Sequence, residues 1–349
     1  MCKTERLLAE PGAIAGVQRA AAILREGGTV AFPTETVYGL GANALETQAV
    51  AKIFAAKERP GWDPLIVHVS DREMLDRVAS VPSEHEARVE QLIAAFWPGP
   101  LTLLLPRRSA VPDAVTAGRP LVGVRMPAHP AALELIRCAG VPVAAPSANR
   151  FGRTSPTTAA HVLQDLDGRI DAVLDGGPTR VGIESTVLAV VETPMLIYRP
   201  GAITQRMIEA ETGFAVELFR ASAVLEGSPR ESLPSPGVGL RHYAPRARLE
   251  LVEVARTGDL THSLHPALER CEAAEEVVGV ILPAGWDPSY AEETFACGEW
   301  GDDDLFAQRL FAGLRDLDAR GVSVIVCPVP PGDGVGVALR DRLEKAARR

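Results

Sequence analysis

The sequence predicts an α/β protein built on a mixed sheet, and three observations carry that prediction. Short apolar runs of strand length alternate with segments of helical period through the first 215 residues. Their order is irregular rather than a strict βαβ repeat, which favours a twisted mixed sheet over a doubly wound parallel one. A stretch rich in Pro, Gly and Ser, from Ala221 to Pro245, then separates a second and smaller set of strand and helix patterns.

Val17, Ala20, Ala21 and Leu24 keep helical spacing until Gly27 and Gly28 stop the helix, and Thr29 to Phe32 read as a buried strand. Further strands are expected at Leu65 to Val69, Leu101 to Leu105, Leu121 to Met126, Val141 to Ala145, Ala172 to Leu174, Thr186 to Val191 and Met195 to Tyr198. Beyond the linker, Leu249 to Val254, Val277 to Leu282 and Val322 to Cys327 read as strands between helical stretches around Leu264, Leu310 and Leu343. The expected boundaries are a first domain over 1–215, a linker over 216–247 and a small Rossmann-like domain over 248–349. No G-x-G-x-x-G follows the first strand of that last domain. The run Pro331 to Gly336 precedes a helix, and is either a plain connection or an anion cradle of backbone amides.

Length and composition narrow the function. A chain of 349 residues exceeds one ordinary core and suits two domains. With 36 basic against 45 acidic residues the net charge is −9, which argues against a surface built throughout to grip nucleic acid. The N-terminal stretch has no signal-peptide core, and no apolar run approaches the roughly 18 residues of a membrane span, so a cytoplasmic protein is expected. Five cysteines, widely spaced and without a CxxC pair, indicate neither a disulfide framework nor a zinc site.

Several segments carry polar groups where chemistry is expected. Phe32 to Gly41 reads as a buried strand running into a loop of hydroxyls and glycines, suited either to ligand contact or to a solvated turn. Lys57 and Arg59 lie at a helix exit, placed to neutralise a triphosphate or to complement the helix C-terminus. Strand alternation puts His68 on the face shared by Ile66 and Ser70, and Arg125 on the face shared by Leu121 and Gly123. Unpaired burial of a guanidinium is costly, so Arg125 requires an anion. Glu35, another internal carboxylate or the carboxylate of an amino-acid ligand would serve. Ser155 reads as a helix N-cap with Pro156 at the first helical position. Capping leaves Ser147 and Asn149 unexplained, and they sit where donors could meet a phosphate. Ser185 enters one late strand, and Arg199 leaves the next.

Taken in order, PTETVYGLGANA, KERPGWDPLIVHV, FWPGPLTLLLP, VGVRMPAHP, APSANRFGRTSPT, GIESTV, YRPGAIT and SPGVGLRHYAP resemble the YrdC-like family of threonylcarbamoyl-AMP synthases, in the long form with an extra C-terminal domain. Residues 15 to 205 carry the resemblance almost throughout, the linker motif shares it, and the C-terminal domain does so only in general pattern. The resemblance implies a mixed sheet around an open, deep cleft in which L-threonine, bicarbonate or CO2, and ATP with Mg2+ react to give threonylcarbamoyl adenylate and pyrophosphate. It implies that Thr36, His68, Arg125 and Ser185 hold threonine, and that Lys57, Arg59, Ser147, Asn149, Ser155 and Arg199 hold ATP. Lys57, Arg59 and His68 then act by positioning, without a covalent intermediate. Asp63 stands where relatives often carry asparagine, histidine or lysine, so its part is either through Mg2+, which ATP itself mainly carries, or in shaping the turn. Arg241, His242 and Tyr243 of the linker are expected to form a lid over the site. The product is expected to pass to the machinery that modifies transfer RNA, without stable nucleic-acid binding by this chain.

Two other classes remain open at this stage. An RNA-binding module would use Lys57, Arg59, Arg125 and Arg153 on a concave basic surface, with salt-dependent affinity. A carbamoyltransferase of protein maturation uses a related cleft, but nothing here supplies its zinc-finger or acylphosphatase-like parts.

Overall fold

The computed structural model describes residues 3–9, 14–219, 242–255, 260–285, 291 and 293–348. Arg241 of the expected lid lies outside them. The described chain divides into two compact units. The first takes most of the sequence before residue 219, and the second takes the C-terminal region together with Gly152–Ser155 and Arg180–Ile183.

The first unit opens with β1 (Glu5–Leu8), α1 (Ile14–Arg25), β2 (Val30–Phe32), β3 (Gly39–Asn43), α2 (Thr47–Lys57) and β4 (Ile66–His68). It continues through α3 (Arg72–Val78), α4 (Glu86–Phe96), β5 (Leu101–Pro106), α5 (Asp113–Thr116), β6 (Leu121–Arg125), α6 (Pro130–Ala139) and β7 (Val143–Ala144). Then follow α7 (Ala159–Leu166), β8 (Ala172–Asp175), β9 (Thr186–Ala189), β10 (Met195–Arg199), α8 (Gln205–Thr212) and β11 (Val216–Leu218). The strands form one 11-stranded sheet in the order β1-β8-β2-β3-β7-β4-β6-β5-β9-β10-β11. Parallel pairs such as β4 with β6 and antiparallel pairs such as β2 with β3 occur together, so the mixed sheet expected from the irregular order is the one observed.

Local rules explain the elements. In α1 the buried residues Val17, Ala20, Ala21, Ile23 and Leu24 make one apolar stripe, and Gly27, at φ 73°, donates its N–H to Leu24 O to end the helix. His129 caps α6 by accepting from Ala131 N, with Pro130 at the first helical position and Gly140 left-handed after the last.

The sequence reading needs three corrections in this unit. Gly39–Asn43 is a strand, not part of a loop, because it pairs with β2 across Val30↔Gly41. Gly41 is required there, since a Cβ would stand 2.7 Å from the Phe32 ring and from Val143. The cap of α7 is Thr158, which accepts from His161 N at 3.2 Å, rather than Ser155. Pro156 lies outside the helix, and its carbonyl accepts the Tyr38 N–H. Finally, β11 pairs in parallel with β10, so the first sheet runs past residue 215. Strand β1 at the opposite edge had no counterpart in the sequence reading, because its residues are mostly exposed and its two polar residues precede two leucines without alternation.

The second unit holds β12 (Arg248–Glu253), α9 (Leu260–Ala273), β13 (Val278–Leu282), β14 (Glu293–Ala296), α10 (Asp303–Ala319), β15 (Val324–Val329) and α11 (Gly336–Ala347). Its four strands, ordered β12-β15-β13-β14, are all parallel, which matches a small Rossmann-like domain. Leu264, Ala267, Leu268 and Cys271 of α9 pack on Val280, Val324 and Val326. Asp302 caps α10 by accepting from Leu305 N.

His242 and Tyr243 are buried in this second unit. The Tyr243 ring stacks on Phe311 at 5.7 Å, and the Arg342 guanidinium lies 5.2 Å from its centroid. At the start of α11, the N–H groups of Gly336, Ala338 and Leu339 donate to the carbonyls of Asp333 and Val335. Of the amides in the anion cradle considered for residues 331–336, that of Gly336 is thereby engaged within the turn itself. Among the described residues no helix is long and apolar enough to cross a membrane.

Candidate functional site

Strand pairing assembles the first part of the site. β4 and β6 are parallel with His68 directly opposite Arg125, so the alternation that put each on a polar face puts both on the same face. Arg125 is 3% exposed, with Nη2 in an ion pair and Nη1 and Nε hydrogen-bonded. Its Nη2 pairs with Glu35 Oε1 at 2.5 Å, Nη1 donates to Thr36 Oγ1 at 3.0 Å, and Nε donates to Gly99 O at 3.1 Å. Glu35 is itself fixed, since its Oε2 accepts the Ala128 N–H at 3.0 Å. Of the partners left open for Arg125, the structure supplies Glu35.

Thr34 orients the loop before β3. Its hydroxyl lies 2.8 Å from Thr36 Oγ1 and donates to Val37 O at 2.7 Å. His68 is held neutral: burial pushes its imidazole down to about 3, and the Arg125 charge adds to that push. Backbone contacts at Ile66 and Val143 pull weakly the other way.

A second group forms at the entrance of β9. Ser185 Oγ lies 2.8 Å from Thr102 Oγ1 on β5 and accepts from Arg199 Nη2 at 3.0 Å, while Arg199 Nε donates to Ser185 O at 3.0 Å. Sequence reasoning counted Thr34 among the hydroxyls of its loop without giving it a role, and missed Thr102. Thr102 was detectable as the one polar residue inside the apolar strand LTLLL, and Thr34 by its spacing of two from Thr36.

The third group is cationic, and it departs from flexible charges at a helix exit. Lys57 is 1% exposed, and its ammonium donates to Ser147 O at 2.6 Å and to Asn149 O. Arg59 donates to Asp63 O at 3.1 Å and Pro64 O at 2.7 Å and pairs with Asp63 Oδ2 at 3.0 Å. The left-handed Glu58, at φ 55°, turns the chain so that both cations point inward. Burial pushes the Asp63 carboxyl up, and the charges of Arg59, Lys57 and Arg199 oppose that rise. The loop carrying Ser147 and Asn149 is tied to β3 through Leu40 N to Pro146 O and Ala148 N to Tyr38 O.

Thr36, His68, Arg125, Ser185, Lys57, Arg59, Asp63, Ser147, Asn149 and Arg199 thus all belong to the first unit. Ser155 does not join them: it groups with the second unit, where its carbonyl accepts from Arg315 Nε at 3.4 Å. A buried guanidinium that meets a carboxylate and a hydroxyl, with a separate set of buried cations, on a mixed α/β sheet, is suited to a carboxylate and a polyanion.

Comparison with known proteins agrees. A family model described as telomere recombination, covering Sua5, YciO and YrdC proteins, matches residues 22–201, and one described as the threonylcarbamoyl-AMP synthase C-terminal domain matches residues 203–348. Threonylcarbamoyl-AMP synthase from Pyrococcus abyssi is 42% identical over 332 residues, covering 95% of this chain and 94% of that one. The Bacillus subtilis enzyme is 42% identical over 333 residues, covering 95% and 92%. The crystal structure of P. abyssi Sua5 complexed with L-threonine has a TM-score of 0.88 at 39% identity, covering 99% of this chain and 98% of that one. The chain belongs to the threonylcarbamoyl-AMP synthase family, and it is an enzyme of that family.

Proposed function

We propose that the first unit makes threonylcarbamoyl adenylate and pyrophosphate from L-threonine, bicarbonate or CO2, and ATP, by holding reactants rather than by bonding to them. The observation that carries this reading is the convergence of Thr36, His68 and Arg125, from one loop and two strands, on a single buried patch. Arg125 receives the threonine carboxylate, with Thr36 and Ser185 offering hydroxyls to the rest of the amino acid. His68, kept neutral by burial and by the neighbouring charge, accepts a hydrogen bond without adding positive charge beside Arg125.

Carbamoylation of the threonine amine gives an unstable carbamate, whose oxygen attacks the α-phosphorus as the bond to pyrophosphate breaks. Closeness and exclusion of water therefore matter most. Lys57, Arg59 and Arg199 stabilise the charge that builds on the leaving phosphates. No thiol is called on: burial pushes Cys297 up to about 12 and Cys327 well above its usual range.

A magnesium ion would arrive with ATP, held mainly by the phosphates. Among the described residues no three His, Cys, Asp or Glu side chains form a metal cluster, but Asp63 Oδ1 is a buried oxygen without a hydrogen-bond partner. Mg2+ characteristically takes one or two carboxylates beside phosphate oxygens and waters. Carried mainly by ATP, it would supply charge neutralisation to the phosphates.

The adenylate is then consumed by the machinery that modifies transfer RNA, with this chain working in the cytoplasm and not binding nucleic acid stably. The net charge of −9 argues against a surface built to grip RNA phosphates. The test is pyrophosphate release from ATP and bicarbonate across the twenty amino acids. Turnover with threonine alone supports the reading, and release that is independent of threonine refutes it.

A further inference from the structure

Thr102 is the one polar residue of strand β5, and nothing in the strand itself uses its hydroxyl. It is 0% exposed, and a buried hydroxyl without a partner is costly. Leu104 lies opposite Gly123 on β6, so alternation puts Thr102 on the face of the sheet that carries Arg125 and, across β4, His68. Among the described residues the Thr102 hydroxyl has one hydrogen bond, the 2.8 Å contact with Ser185 Oγ. Its methyl group lies over Gly123, where a Cβ would stand 3.2 Å from Thr102 Cγ2. A β-branched side chain is stiff about χ1, so the seat of the methyl fixes where the hydroxyl points.

Proton counting gives Ser185 a direction. Its Oγ accepts from Arg199 Nη2 at 3.0 Å, which takes one lone pair. The contact with Thr102 can run either way. If Ser185 donated to Thr102, the Thr102 proton would be left buried and unmet. If Thr102 donates, both lone pairs of Ser185 are filled and its proton is left for a ligand. With an acceptor of the ligand in place, every hydroxyl proton of the group is then met. Ser185 is therefore a donor to the ligand and not an acceptor from it.

We propose that Thr102 is a positioning residue for amino-acid selection, which holds the Ser185 hydroxyl as a hydrogen-bond donor to the β-hydroxyl oxygen of threonine. The inference rests on the reading that Ser185 meets threonine. In that reading Arg125 takes the carboxylate and the amine stays free to be carbamoylated, which leaves the β-hydroxyl as the acceptor. Valine has nearly the same shape without that oxygen, and it leaves the Ser185 proton unmet. Thr102 touches no reactant and acts through Ser185 alone.

The experiment measures binding of L-threonine to the full chain by calorimetry, with L-valine followed by its displacement of threonine. The proteins are the wild type, Thr102→Val, Thr102→Ser, Ser185→Ala and the double variant Thr102→Val with Ser185→Ala. Thr102→Val nearly keeps the shape and removes the hydroxyl, and it is expected to lower the preference for threonine over valine about three- to tenfold. Thr102→Ser keeps the donor and is expected to stay within about twofold of the wild type. In the Ser185→Ala background, Thr102→Val is expected to change the preference by less than about twofold, because the group through which it acts is gone. Circular dichroism establishes that each variant is folded, and Thr102→Ala gives the same comparison if the valine variant does not fold. Equal weakening of threonine and valine by Thr102→Val overturns the proposal, as does an undiminished effect of that substitution in the Ser185→Ala background. Both of those outcomes leave the threonine site standing. If the wild type shows no preference for threonine over valine, the reading of the site itself has failed, and this proposal falls with it.

Discussion

Glu35→Gln isolates the interaction on which the threonine end of the site depends. The Arg125 and Glu35 side chains are 4% and 5% exposed, so the pair is effectively without solvent. Removing one partner of a buried pair costs about 3–5 kcal/mol, because the remaining charge is left uncompensated. The glutamine oxygen can still accept from Ala128 N, and Arg125 keeps Thr36 and Gly99 O, which places the expected loss near the lower figure. A loss of about 3 kcal/mol raises the local opening equilibrium by about 150-fold.

A global melt would mix two units, so the assay is native-state hydrogen exchange at the Val69 amide, which donates to Arg125 O at 3.0 Å. Threonine supplies the missing carboxylate. It is therefore expected to restore protection in Glu35→Gln by more than it adds to the wild type. Unchanged protection at Val69 in the variant would refute the energetic reasoning. Equal protection by threonine in both proteins would refute the assignment of its carboxylate to Arg125.

Two further outcomes follow from backbone and burial. At Gly182, with φ 79°, a Cβ would stand 2.3 Å from Ala307 O and 2.4 Å from Gln308 Cα, so Gly182→Ala is expected to destabilise the second unit by about 2–4 kcal/mol. Gly177→Ala, at φ 83° with open space around it, is expected to lose only the left-handed cost of about 1 kcal/mol, and denaturant unfolding of both variants checks the contrast. His68 titrates near 3 in the folded chain and near 6.5 when unfolded, so the unfolded state takes up the proton first as pH falls. Its contribution is fully present above 6.5 and is lost at about 1.4 kcal/mol per pH unit down to about 3. The stability difference between wild type and His68→Asn, followed from pH 7 to pH 4, should show that slope.

Much of the fold was legible because its signals are local. The stripe of α1, its glycine stop and the apolar strands around Val67, Leu103 and Val124 follow from the period of the side chains. The misses share a cause in long-range pairing. Gly39–Asn43 has the composition of a loop and becomes a strand only because β2 and β7 lie on either side of it. Ser155 has the type of a cap, yet Thr158 caps the helix, because the Pro156 carbonyl is drawn to Tyr38.

For the site, sequence order by itself determined the residue types and the family they resemble, since eight motifs in one order are far more specific than any single motif. It also determined that Arg125 needs an anion, because that follows from burial energy alone. Only the tertiary structure decided that Glu35 is that anion, that Lys57 and Arg59 are buried posts rather than mobile charges, and that Asp63 occupies Arg59. Pattern reports which face a side chain lies on. Which partner waits at that face depends on strand register and on turns brought together from distant parts of the chain, and those exist only in the folded protein.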